Sequence, residues 1–228
     1  MDKTRYKKIL NLIDKDKYSK FDLITNYGLF SGSTNLYKTL KIYELILSIE
    51  KVKGDIIEFG THRGNTGILI AKILKLRNIK KKVFLFDSFE GLQNFNKKDN
   101  LKKKFFKGIY KGNFKKIKKL IKFFKLDNIE IIKKDATNIS NDFFNNKIYS
   151  LMIFDMDLYE PTINVLDKIN IKKNLVKYSK IVFDEGNSIY WKGEKRALNE
   201  FLNKNKKKFT KKIISKKLYQ PDVELTKK

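Results

Sequence analysis

Cysteine is absent from this 228-residue chain, which removes disulfides, thiolate-held zinc, iron–sulfur clusters and every cysteine-nucleophile mechanism. Histidine occurs once, as His62, and proline twice, as Pro161 and Pro221. Arginine is also scarce: only Arg5, Arg63, Arg77 and Arg196 stand among the 52 basic residues. Base-edge and phosphate readers favour the planar arginine fork, so an excess carried almost wholly by lysine argues against a dedicated nucleic-acid partner. No apolar run approaches the ~20 residues of a membrane span. The segment MDKTRYKKILNLIDKDKYSK lacks the apolar core of a signal peptide, so a cytoplasmic location is the expectation.

Positive charge is abundant: 52 Lys and Arg against 25 Asp and Glu give a net +27. A field of this size attracts anions and favours non-specific polyanion binding at low salt. With abundant Lys, Asn, Ile and Phe it also fits an AT-rich coding bias.

The pattern along the chain predicts a helical cap over residues 1–50 and one α/β domain over 51–228. In the cap, Ile9, Leu12 and Ile13 precede a break around Asn26–Ser33, and Leu36, Leu40, Tyr43 and Leu47 follow at helical spacing. Strands are expected at 55–60, 83–87, 129–133, 149–155 and 180–184. Helices are expected at about 66–77, 113–125, 160–169 and 194–204. Such alternation argues for a doubly wound, mostly parallel sheet with right-handed crossovers. FTKKIISKKL and VELTKK add one or two antiparallel strands at an edge, and the Lys-rich stretch 97–119 reads as a mobile loop leading into a helix. There are no internal repeats.

Four short acidic or glycine-bearing turns each follow an apolar run: GDIIEFGTHRGNT (Gly54–Thr66), VFLFDSFEGL (Val83–Leu92), LMIFDMDLYE (Leu151–Glu160) and IVFDEGN (Ile181–Asn187). Ligands of open parallel sheets bind beyond the carboxyl ends of the strands, so the four turns are expected to line one crevice. In the first turn the order Glu58-x-Gly60-x-x-x-Gly64-x-Thr66 lacks the G-x-G-x-x-G of a dinucleotide site. Glu58 repels a pyrophosphate but accepts from an amine, which suits S-adenosylmethionine. Asp87, ending the second strand, is placed to take ribose hydroxyls. Asp135, in KKDATNIS, is placed for adenine, with a helix N-cap as its alternative.

Asp155, Asp157, Asp184 and Glu185 end two neighbouring strands. Crowded carboxylates repel unless a cation lies between them, and oxygen ligands alone point to Mg²⁺; pairing with lysine is the alternative.

The set EFGTHRGNT, FDSFEGL, FDMDLYEPT, FDEGN and GEKRALNEF, with LYKTLKIYELI ahead of it, resembles the macrocin O-methyltransferase family over roughly residues 34–202. FDSFEGL and DxDLYE are its distinctive pieces, while the glycine turn is general to class I methyltransferases and also looks like that of catechol and caffeoyl-type O-methyltransferases. The resemblance implies a seven-stranded Rossmann-like sheet and metal-dependent methylation of a sugar hydroxyl, and it admits a homo-oligomer. It implies S-adenosylmethionine contacts at Glu58, Gly60, Thr61, His62, Gly64, Thr66, Asp87, Ser88 and Asp135, and metal ligation at Asp155, Asp184 and Glu185. Glu185 departs from the family, where many relatives carry Asp or Asn. The catechol-type lysine three residues after the first metal aspartate is replaced here by Leu158.

Asp157 is the expected general base, with a supporting role at the metal as its alternative, and Asp155 stands beside it in the catalytic set. His62 is expected to pack over the cofactor rather than act in the chemistry. Tyr190 and Trp191 offer aromatic faces to a sugar or ring acceptor. Glu194 reads as a helix N-terminal acid. Three rivals share parts of this pattern: a nucleic-acid methyltransferase, a non-enzymatic binding protein and an NAD-dependent sugar oxidoreductase.

Overall fold

The computed structural model describes residues 33–99, 106–215 and 219–228, with the single positions 11, 19, 26 and 28. The chain divides into two compact units, 1–37 and 38–228. The expected helix around Ile9, Leu12 and Ile13 lies outside the described residues.

Helix α1 (Ser33–Ile49) precedes β1 (Asp55–Phe59), α2 (Asn65–Leu76), β2 (Val83–Asp87), α3 (Phe114–Phe123) and β3 (Ile129–Lys133). Then come β4 (Tyr149–Phe154), α4 (Tyr159–Lys168), the single turn α5 (Ile171–Asn174), β5 (Leu175–Phe183), α6 (Lys192–Asn205), β6 (Phe209–Ile213) and β7 (Val223–Lys227). One seven-stranded sheet runs β3-β2-β1-β4-β5-β7-β6. The first five strands are parallel, while β7 pairs antiparallel with β5 and β6. Both tail strands therefore form, with β6 at the edge.

Strand alternation separates two cores. Ile57, Phe59, Met152, Phe154 and Phe183 face α4 and α6, packing with Ile163, Leu166, Ala197 and Phe201. Ile56, Leu85, Leu151, Ile153 and Val182 face the other side, with Ile42 and Ile46 of α1, Ile70 and Leu74 of α2 and Ile117 of α3. Helix α1 is helical where the sequence pattern placed it, and it buries a stripe other than the one that marked it. Ile42, Leu45, Ile46 and Ile49 are buried, whereas Leu36, Leu40, Tyr43 and Leu47 are exposed.

The same alternation aims the acids. Phe59, Phe154 and Phe183 stand side by side in register and point to the α4–α6 core. The next residues, Asp155 and Asp184, therefore turn toward the α1 side, as Glu58 does one step before Phe59.

Candidate active site

A cleft of about 320 Å³ opens at the carboxyl ends of β1 to β5, lined by residues of all four acidic or glycine turns. This is the placement expected of an open α/β sheet. Of the sequence-predicted residues, Gly60, His62, Asp87, Ser88, Asp135, Asp155, Asp157, Glu185 and Trp191 line it. Tyr190 instead borders a shallower groove with Lys192, Lys195 and Arg196. Glu58, Thr61 and Thr66 are buried behind the first turn and do not form part of the cleft wall.

The β1 exit must be glycine. Gly60 has φ +87°, and a Cβ there would lie 1.9 Å from the Asp155 carbonyl oxygen. Gly64 begins α2 in the left-handed conformation with no side-chain cap, so the first-turn N–H groups lack the usual acceptor. Below the turn, Glu58 Oε2 accepts from Thr61 Oγ1 at 2.6 Å. Burial pushes its carboxyl up to about 7. Asp87 ties the first two turns together: Oδ2 accepts from His62 N at 2.7 Å and Oδ1 from Phe89 N at 2.5 Å. Burial raises the Asp87 carboxyl against those two bonds. Asp135 Oδ1 accepts from Thr137 N at 2.8 Å, capping a short 3₁₀ turn. The capping role is thus present, at a position that also faces the cleft. His62 meets Tyr110 edge-on with ring centroids 5.8 Å apart, and burial lowers its pKa, with Arg63 adding to the effect.

The β4 and β5 exits are more crowded. Asp157 is held at φ +62°. Burial and the Asp155, Glu185 and Asp184 carboxylates push its carboxyl well above the usual range. His62 (φ +49°) and Tyr110 (φ +64°) are also left-handed, so backbone strain gathers at the cleft wall. Burial and Asp155 likewise raise Asp184, whose Oδ1 is buried without a hydrogen-bond partner.

Two residues at this edge have roles that the sequence reading did not assign. Glu194 lies in the first turn of α6, as expected, and is also fully buried. Its Oε2 accepts from Met156 N at 3.0 Å and Asp157 N at 3.3 Å, and its Oε1 from Glu185 N at 2.8 Å. It clamps the two acidic turns together. Lys38 of α1 reaches Asp184 Oδ2 at 2.5 Å and Asp155 Oδ2 at 3.3 Å. Burial alone would lower its ammonium pKa, but the Asp184 and Asp155 carboxylates outweigh this and hold it above the ordinary lysine value. Both residues lead the buried stripe of their helix, Lys38-Ile42-Leu45-Ile46-Ile49 and Glu194-Ala197-Leu198-Phe201, and that position is the sequence signal for them.

The residues expected to hold Mg²⁺ do not fit a divalent ion as they stand. Asp155 and Asp184 already share an ammonium, and the Glu185 carboxylate is bonded to Gln220 and Ser188. Among the described residues no group of three or more His, Asp or Glu forms a metal site. The lone Asp184 Oδ1 is far short of the six-oxygen shell that Mg²⁺ demands.

Sheet order, glycine turn and a carboxylate-lined cleft at the strand ends together define the class I methyltransferase fold. The profile of the macrocin-O-methyltransferase (TylF) family matches residues 30–216, and the chain belongs to that family. It is therefore an O-methyltransferase that uses S-adenosylmethionine. No curated protein matches the sequence. Among solved structures the chain is similar to CalS11, described as a calicheamicin methyltransferase, with TM-score 0.81 and 20% identity over 96% of this chain and 90% of that one. An apo structure described as CalS11, TDP-rhamnose 3'-O-methyltransferase, aligns with TM-score 0.71 and 21% identity over 96% and 92%. The O-methyltransferase NovP follows, with TM-score 0.64 and 17% identity over 86% and 80%. The SAH-bound Podospora anserina methyltransferase PaMTH1 shares the fold, with TM-score 0.54 and 10% identity over 100% and 97%. No described helix is long and apolar enough to cross a membrane.

Proposed function

We propose that this O-methyltransferase methylates a hydroxyl of a sugar or glycosylated small molecule. The observation that carries the reading is Asp157, an acid of raised proton affinity on the cleft wall, which is also lined by the paired rings of Tyr110 and Trp191, centroids 6.2 Å apart. Aromatic faces of this kind suit the apolar faces of a sugar ring. The family membership and the printed substrate of CalS11 support the same class of acceptor.

The β1–β3 side of the cleft holds the cofactor in this reading. Asp87 takes the ribose hydroxyls with the lone pairs left by His62 and Phe89, Ser88 and Asp135 meet the adenine, and Gly60 lets the backbone approach. Glu58, Thr61, Gly64 and Thr66 shape the turn from behind, with Glu58 a counter-charge for the cationic end of the cofactor. When bound, S-adenosylmethionine supplies the electrophilic methyl: the oxygen–carbon bond forms as the carbon–sulfur bond breaks and its electron pair stays on sulfur. Asp157 accepts the hydroxyl proton, a step that its raised proton affinity favours. Asp155 and Trp191 orient the acceptor, Tyr190 extends the wall outward, and His62 with Tyr110 helps exclude water.

A divalent ion on Asp155, Asp184 and Glu185 is the second reading, favoured by the surplus of carboxylates and by the unpartnered Asp184 Oδ1. It requires Lys38 to leave Asp155 and Asp184.

The test is transfer of labelled methyl from S-adenosylmethionine to a panel of free, nucleotide-linked and glycoside sugars, with RNA as a further acceptor. Methylation of a sugar that Asp157→Asn abolishes is the expected result. Transfer to RNA alone, persisting at moderate salt, would overturn the acceptor class.

A further inference from the structure

The catalytic edge carries more acid than base, yet one lysine reaches its centre from an element outside the four turns. Strand alternation turns Asp155 and Asp184 to the α1 side, where Lys38 opens the buried stripe of that helix. Its Nζ lies 2.5 Å from Asp184 Oδ2 and 3.3 Å from Asp155 Oδ2. No other ion pair among the described residues reaches either acid. The lysine side chain is 21% exposed and that of Asp184 only 1%, so the pair is shielded from competing water and salt.

We propose that Lys38 is the resident cation of the catalytic edge, taking the seat that a divalent ion would occupy between Asp155 and Asp184 and making methyl transfer independent of metal. This rests on the O-methyltransferase reading above and deepens it.

Three features support the assignment. The legs from Nζ to the two carboxylates are 2.5 and 3.3 Å, both longer than the about 2.1 Å at which Mg²⁺ sits from its oxygens, so the seat is too wide for that ion. Glu185, the third expected ligand, is held by Gln220 and Ser188 rather than by the other two acids. An ammonium and a divalent ion repel strongly at such range, so the two cannot share the seat. Lys38 is a positioning residue in this account. It acts through Asp155 and Asp184, balancing their charge so that Asp157 is left to take the acceptor's proton.

The deciding measurement is Mn²⁺ titration of the metal-stripped protein, followed by the paramagnetic signal, for wild type, Lys38→Met, Lys38→Arg and Asp184→Asn. S-adenosylmethionine calorimetry on the same samples reports independently whether the cofactor reading holds. Wild type and Lys38→Arg are expected to bind Mn²⁺ no better than Asp184→Asn, while Lys38→Met binds one ion at least about tenfold more tightly. Turnover of wild type is expected to be unchanged by a chelator. A saturable wild-type Mn²⁺ site lost in Asp184→Asn would overturn the proposal, and this arm stands even if Lys38→Met fails to fold. Lys38→Met binding no more Mn²⁺ than wild type, in folded protein, would also overturn it.

Discussion

On the β1–β3 side of the cleft the carboxylates are met by neutral donors: Asp87 by the His62 and Phe89 amides, Asp135 by the Thr137 amide, Glu58 by the Thr61 hydroxyl. On the β4–β5 side Asp155 and Asp184 are met by one ammonium, and Asp157 is crowded by its neighbours. Neutral donors fix a carboxylate without changing the charge of the site, which suits the cofactor surface proposed for this side. Crowded acids are held at high proton affinity, which suits a surface that must remove a proton. Glu194 joins the two acidic turns through three backbone N–H groups, so the reactive side is also kept rigid.

That contrast can be broken most sharply at the proposed base. Asp157→Asn is expected to lower kcat by about 10²–10⁴ while leaving S-adenosylmethionine affinity within about threefold of wild type, as single-turnover kinetics and calorimetry would show. Unchanged kcat would place the base elsewhere.

Glu194→Ala comes next. It strips the acceptor from three buried N–H groups, at about 1–3 kcal/mol each, so a fall of at least about 3 kcal/mol in unfolding free energy is expected. Hydrogen exchange should quicken at Met156, Asp157 and Glu185 before it does at His62 or Phe89. Uniform quickening would mean that Glu194 supports the whole core rather than the acidic turns.

A third way to sharpen the comparison is pH. Glu58 has its folded pKa raised from 4.5 to about 7, and Asp222 from 3.8 to about 7. Raised carboxyls favour the protonated folded state. Their contribution is complete below the unfolded values and is lost as pH rises through about 7. Thermal unfolding without cofactor is expected to move to lower temperature between about pH 5 and pH 8, with each carboxyl removing up to about 1.4 kcal/mol of unfolding free energy per pH unit below 7. A cationic ligand beside Glu58 favours the carboxylate, so S-adenosylmethionine binding near pH 6 should release up to about one proton, seen as a buffer-dependent binding enthalpy. Proton uptake would contradict the placement of the cationic end.

The smallest effect separates the two aromatic neighbours. Trp191 lines the cleft and Tyr190, 59% exposed, does not. Trp191→Ala is expected to raise the acceptor KM by about tenfold, and Tyr190→Ala by less than about threefold.

How much of this was legible in sequence follows the same divide. Residues at the strand ends were readable because an apolar run of four or five followed by an acid is a local pattern, and β1 to β4 fall within a residue of where that pattern put them. The start of β5 was not, since VKYS in the middle of Leu175–Phe183 is half polar. Lys38 and Glu194 were hidden for a different reason. Each is a charged residue one turn ahead of a buried stripe, and only packing against a distant strand end shows that the charge is inside. Helix α1 carries two apolar stripes, since Leu36, Leu40, Tyr43 and Leu47 repeat as regularly as the buried Ile42, Leu45, Ile46 and Ile49. Periodicity finds a helix with two apolar stripes but does not choose between them.

The most direct test of the account is calorimetric titration of S-adenosylmethionine into wild type, Asp87→Ala and Asp157→Asn. The account predicts that Asp87→Ala weakens binding by at least about tenfold and that Asp157→Asn leaves it near wild type, since the two acids serve different ligands. Loss of binding in Asp157→Asn with Asp87→Ala unaffected would contradict it and would place the cofactor on the β4–β5 side.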